Sequence, residues 1–151
     1  MGILNIFFGR SKLQVPNREK FFAVATAAES LRGRSDIYPS EKAGIVFNPV
    51  ESIFFDNLDS ELRKLLKLSG NTTGTRFEIM DDSFGTRWVI LDDPDFGDLV
   101  CTIHLISETI YEHGFADRLL AAVFKFIYES QGVYWIYSYK RGAFHPFIIS
   151  D

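Results

Sequence analysis

Thr75-Arg76-Phe77-Glu78-Ile79-Met80 and Thr86-Arg87-Trp88-Val89-Ile90-Leu91 flank the connection Asp81-Asp82-Ser83-Phe84-Gly85. Both flanks are rich in β-branched and aromatic residues, which suit a pleated, half-buried surface. The short connection with its glycine joins them as a hairpin, so the chain has at least one antiparallel pair. On the C-terminal side, Val133-Tyr134-Trp135-Ile136-Tyr137-Ser138-Tyr139 reads as a strand for the same reason. Gly142 punctuates it, and Phe144 to Ile149 forms a last strand in which Pro146 is best tolerated at an edge or a bulge.

Between hairpin and final strands, Leu99, Ile103, Ile106 and Ile110 recur at helical spacing and predict a helix from about Phe96 to His113. Asp95 caps it, or Asp98 adds charge at its positive end. Arg118 to Tyr128 suits a helix as well as a buried strand, because Leu119, Leu120, Val123, Phe124 and Ile127 satisfy both patterns; the strand is adopted here. Upstream of the hairpin, Asp56 with Asp59 opens an amphipathic helix bearing Leu58, Leu62, Leu65 and Leu66, with Lys64 and Lys67 near its end and Gly70 beyond. Ala43 to Phe47 is a short strand before Asn48-Pro49. Asn17 caps a first helix through Phe21 and Phe22 to about Leu31, which Gly33 ends. Strands and helices interspersed without regular βαβ crossovers predict an α+β domain over residues 17–151. Its sheet is mainly antiparallel, of about five or six strands with about three helices packed on it.

Residues 1–16 stand apart as an apolar arm and a linker ending at Val15-Pro16. On a helix Ile3, Leu4, Phe7 and Phe8 share one face, followed by Arg10 and Lys12. The arm either docks on the domain's own core or frays, or it is an interfacial anchor reaching lipid or a partner helix. It has no basic region ahead of it and no small-residue cleavage site, so it is not a secretory signal.

The 151 residues are 46% hydrophobic and 24% charged, the balance of an ordinary globular domain that buries one core. The excess lies in aromatics, with 15 Phe, 6 Tyr and 2 Trp. Sixteen basic against 20 acidic residues give a net charge of −4, which disfavours a nucleic-acid partner. The lone Cys101 forms no internal disulfide and fits a reducing cytoplasm. No uncharged apolar run approaches the roughly 20 residues of a spanning helix.

Chemistry-bearing motifs are sparse. Cys101 and His104, three apart on one helix, imitate a nucleophile and base, but no third group or oxyanion site accompanies them. The plainer reading is a small buried cysteine and a hydrogen-bonded helix histidine. Asp81, Asp82, Asp92, Asp93, Asp95 and Asp98 do not follow the spacing of a calcium loop and suit solvated turns and helix starts. No metal site, nucleotide fingerprint or other cofactor site is expected. The most unusual segment, Tyr137 to Phe147, joins Lys140 and Arg141 to a glycine turn and a dense aromatic series with Phe144, His145 and Phe147. It suits an acidic peptide, a lipid headgroup or another anionic ligand; equally, its rings fill a sheet face while the bases sit in water.

Ser138-Tyr139-Lys140-Arg141-Gly142-Ala143-Phe144-His145-Pro146-Phe147 resembles the C-terminal signature of the PspA-associated PspAB family. Asp81-Asp82-Ser83-Phe84-Gly85-Thr86-Arg87-Trp88 is similar to that family's hairpin, and Glu112-His113-Gly114-Phe115 with Leu119-Leu120 to the segment leaving its long helix. His104 and the opening Gly2 to Lys12 agree as well. His113 and His145 depart from the Gln and Tyr expected in many relatives. The resemblance favours the strand reading of Arg118 to Tyr128. It implies an accessory of PspA, the coiled-coil protein that protects stressed membranes in phage-shock responses, acting by protein–protein interaction without catalytic residues. It places the chain in the cytoplasm, with peripheral contact at the inner face of the membrane as an option. Asp81, Asp82, Phe84, Trp88, Lys140, Arg141, Phe144, His145 and Phe147 become its candidate partner residues, with Ile3, Leu4, Phe7, Phe8, Arg10 and Lys12 for the arm. An enzyme of unknown substrate using His104 or the Asp81-Asp82 turn, and a chaperone-like domain holding a peptide on its sheet, are the alternatives.

Overall fold

Ser52, four residues before Asp56, opens the long amphipathic helix: its extended backbone and its hydroxyl, which accepts from the Phe55 amide at 3.1 Å, make it the N-cap. The structure is a computed structural model and describes residues 18–33 and 36–149. In chain order its elements are α1 (Arg18–Leu31), β1 (Ile37–Phe47), α2 (Ile53–Thr73), β2 (Arg76–Asp81), β3 (Arg87–Asp92), α3 (Phe96–Glu112), a 3-10 turn (Ala116–Arg118), β4 (Leu119–Tyr128), β5 (Gln131–Ser138) and β6 (Ala143–Ile148). The arm residues and Asn17 lie outside the described residues.

The expected α+β architecture is present, with three helices on a six-stranded antiparallel sheet of order β2-β3-β1-β4-β5-β6 among the described residues. The strand at Arg118 to Tyr128, the hairpin and the edge position of Pro146 in β6 agree with the sequence reading. The bounds of two elements differ. α2 starts at Ile53 and passes through Gly70 to Thr73, and Gly74 terminates it at φ +80°. Gly70 serves the next segment instead, since a side chain there would come within 3.1 Å of the Thr75 carbonyl. β1 begins at Ile37 rather than near Ala43, its polar first half joined through a register shift between Pro39 and Ala43. That irregularity admits a proline and three polar residues into a strand whose pattern does not announce them.

The helices cover one face of the sheet. Ala43, Ile45 and Phe47 of β1, Val89 and Leu91 of β3, and Ala122, Phe124 and Phe126 of β4 project toward them and are buried. α3 brings Leu99, Ile103, Ile106 and Ile110 to this core and α2 brings Leu58, Leu62 and Leu66. Much of the aromatic excess is used here: Phe21 of α1 meets Phe124, Tyr137 and Phe144 at centroid distances of 5.9, 5.4 and 6.5 Å. At the corner between β3 and α3, Asp93 is 1% exposed, so it is no solvated turn residue. Its carboxylate accepts from the Thr75 hydroxyl and the Asp95 amide, tying the start of α3 to the entry of β2. No described helix is long and apolar enough to cross a membrane.

Candidate interaction surface

Because side chains alternate along a strand, the residues between the core positions form the opposite face, which none of the three described helices covers. Register lines them up across the sheet. One row runs Met80, Trp88, Val46, Ala121, Ser138 and Ala143, the next Glu78, Ile90, Gly44, Val123, Ile136 and His145. A solvated sheet face ordinarily carries polar residues. Here its centre is Trp88, Ile90, Ala121, Val123 and Ile136, each partly exposed around a buried Val46; contiguous apolar surface of this kind marks a contact surface. A depression of about 190 Å³ lies in it, lined by Lys42, Ala43, Gly44, Trp88, Ile90, Val123, Lys125 and Tyr134. Gly44 forms part of its floor, with the Trp88 ring 3.5 Å from where a side chain would begin.

The hairpin residues have separate tasks. Asp82 accepts from the amides of Phe84 and Thr86, the Thr86 hydroxyl and the Trp88 indole. These bonds, the Thr86 hydroxyl's first, hold its carboxyl down at about 2. The indole bond at 3.0 Å fixes Trp88 across the open face, and Phe84 stands 89% exposed at the tip. Asp81 faces the helix side, where Arg87 grips it through two hydrogen bonds and also reaches Asp59 of α2 at 3.4 Å. Arg87's hydrogen bond is the main cause that lowers the Asp81 carboxyl below its ordinary range.

At the other side of the sheet, Lys140 and Arg141 are exposed in the β5–β6 turn. This turn and the β2–β3 turn lie at the same end of the sheet, four strand spacings or about 19 Å apart. At that distance Lys140 and Arg141 do not pair with the acids of the other turn: Arg87 occupies Asp81, Asp82 serves its own turn, and neither base has an ion pair among the described residues. Phe144 points into the core beside Tyr137, at 5.0 Å, while His145 and Phe147 are exposed on the open face. Tyr139, ahead of the turn, is buried; desolvation pushes its phenol far up. Its hydroxyl lies near Ser107, whose own proton goes to the His104 carbonyl at 2.7 Å, and makes no well-formed hydrogen bond.

The pair on α3 comes apart. Cys101 is exposed rather than buried, because positions 101 and 105 lie on the outer stripe of α3 while Leu99, Ile103, Ile106 and Ile110 take its core stripe. His104 turns under α1 against Phe22, at a centroid distance of 4.9 Å, and faces Glu108 at 3.7 Å. Among the described residues no group of three or more His, Cys, Asp or Glu is placed to hold a metal ion. The open-face residues Gly44, Val46, Ile90, Ala121, Val123, Tyr134 and Ile136 were not among the sequence candidates. Their signal was the unbroken apolar run in β1 and β4, which denotes a strand apolar on both faces.

The model of the family described as PspA associated protein B matches residues 1–151, the whole chain. The chain belongs to the PspAB family. The family's description associates it with PspA systems, as the hairpin and C-terminal signature implied. No curated protein matches the chain. Among solved structures it is similar to a phage SAM lyase in complex with S-methyl-5′-thioadenosine, at 9% identity and a TM-score of 0.30, over 73% of this chain and 88% of that one. A likeness of that size carries no argument about the site.

Proposed function

We propose that this PspAB protein is a non-catalytic accessory of a PspA-type membrane stress response and acts by binding a PspA-type protein through the open face of its sheet. The observation that carries the reading is the partly exposed apolar centre of that face, Trp88, Ile90, Val123 and Ile136, in a family associated with PspA. A surface of this kind is stable in water when small, and larger ones mark partner sites. Lys140 and Arg141, exposed at the end of the same sheet and without an ion pair among the described residues, add charge that guides an acidic partner and weakens with salt. The work is done in the cytoplasm, and any contact with the inner face of the membrane comes through the partner or the arm.

Tagged full-length protein, purified from the cell that encodes it, tests the reading. A PspA-type protein is expected in the eluate from wild type, and much less of it after Lys140→Glu with Arg141→Glu at unchanged melting temperature. A folded, tagged chain that captures no PspA-type protein under stress would overturn it.

A further inference from the structure

The open face is not flat. Its middle strands, β1 and β4, present small or absent side chains at Gly44, Ala121 and Val123, whereas β3 raises Trp88 and Ile90 on one side and β5 raises Tyr134 and Ile136 on the other. The result is a trough running along β1 and β4. From β3 to β5 there are three strand spacings, about 14 Å. An α-helix with its side chains is about 10–12 Å across. We infer that the trough is a seat for one amphipathic helix of a partner protein, its apolar stripe against Gly44 and Val123 and an acidic flank against Lys125; this rests on the binding reading above and names the partner's chemistry.

Charge selects the acidic flank. The depression is lined by Lys42 and Lys125 and by no carboxylate, in a chain whose overall charge is −4. Lys42 shares its charge with Asp92 at 3.2 Å. Lys125 has no ion pair among the described residues and lies 6.0 Å from the Tyr134 ring. Shape argues against a second copy, since two such sheets meeting face to face would rest on Trp88 and Tyr134 and leave both floors unfilled. Charge argues against the chain's own arm, which brings Arg10 and Lys12 to a trough lined by lysine.

Gly44 offers a clean block. Its backbone is not in the left-handed region, and an added Cβ makes only ordinary contacts, at 3.5 Å with Trp88 and with the Val89 carbonyl. An alanine is thus accommodated at this position, and Gly44→Leu extends from the same Cβ over the floor, with its melting temperature measured beside wild type's. Lys125→Glu keeps the shape and reverses the charge. Both variants of the full chain are titrated with two labelled synthetic helical peptides, each Leu-striped, one Glu-flanked and one Lys-flanked, and with the PspA-type protein of the same organism.

Wild type is expected to bind the Glu-flanked peptide at least about tenfold more tightly than the Lys-flanked one, and Gly44→Leu to weaken it about tenfold. Lys125→Glu is expected to reverse the preference at low salt. Equal affinity for the two peptides, or binding indifferent to Gly44→Leu, would overturn the inference. So would a wild-type dimer that Gly44→Leu makes monomeric, or tighter peptide binding after Phe7→Glu with Phe8→Glu, since each assigns the trough another occupant. The PspA-type protein separates the two claims. If it binds wild type and both variants alike, the trough assignment fails and the functional reading stands; if it binds none while the peptides behave as expected, the functional reading fails alone.

Discussion

At Asp82, two amides, a hydroxyl and an indole N–H converge on one partly exposed carboxylate. Such convergence holds the charged form and lowers its pKa to about 2, with the Thr86 hydroxyl as the largest cause. The folded value lies below the ordinary 3.8, so the stability this group contributes is present above about pH 4 and lost as pH falls through about 2. Asp82→Asn should remove that acid-sensitive component, so its urea midpoint changes less than wild type's between pH 4 and 2. Identical pH dependence in the two proteins would show that the charge of Asp82 does not govern the turn. The sequence pointed to this residue for a partner role. Its described contacts are internal, and it serves the surface indirectly, by fixing Trp88.

The elements were legible where one periodicity dominated and obscure where two signals competed. α3 was readable because Leu99, Ile103, Ile106 and Ile110 form one stripe, and Asp95 caps it, accepting from the Asp98 amide at 3.0 Å. The start of α2 was missed because Ile53 and Phe54 point to water, each 71% exposed, and so fall off the apolar stripe that begins at Phe55 and Leu58. The Ser52 cap gives that correction a number. Ser52→Ala should destabilise the protein by about 1 kcal/mol, whereas Asp56→Ala, inside the first turn, should cost no more than about 0.3–1 kcal/mol. Chemical denaturation of the two variants checks the order; a larger loss at Asp56 would restore it as the start of the helix.

For the molecule as a whole, topology decides what the local motifs could not. The β2–β3 turn with Asp81 and Asp82 and the β5–β6 turn with Lys140 and Arg141 share one end of the sheet, but the strand order holds them at its two opposite edges. Sequence left unassigned the face on which His145, Phe147 and Trp88 meet Val123 and Ile136, because that juxtaposition is produced by register across strands distant in the chain. The family, by contrast, was readable from its short signatures, since these preserve residue identity rather than geometry. The claim that the open face, and not the helical side, meets a PspA-type protein is tested most directly by placing a photo-crosslinking residue at Ile136 or at Leu105 in the full chain, under stress, in the cell that encodes it. Ile136 lies on the open face and Leu105 is 46% exposed on α3, on the covered side. A covalent PspA-type adduct is expected from position 136 and none from position 105; an adduct from 105 alone, or from neither, would overturn the open-face assignment.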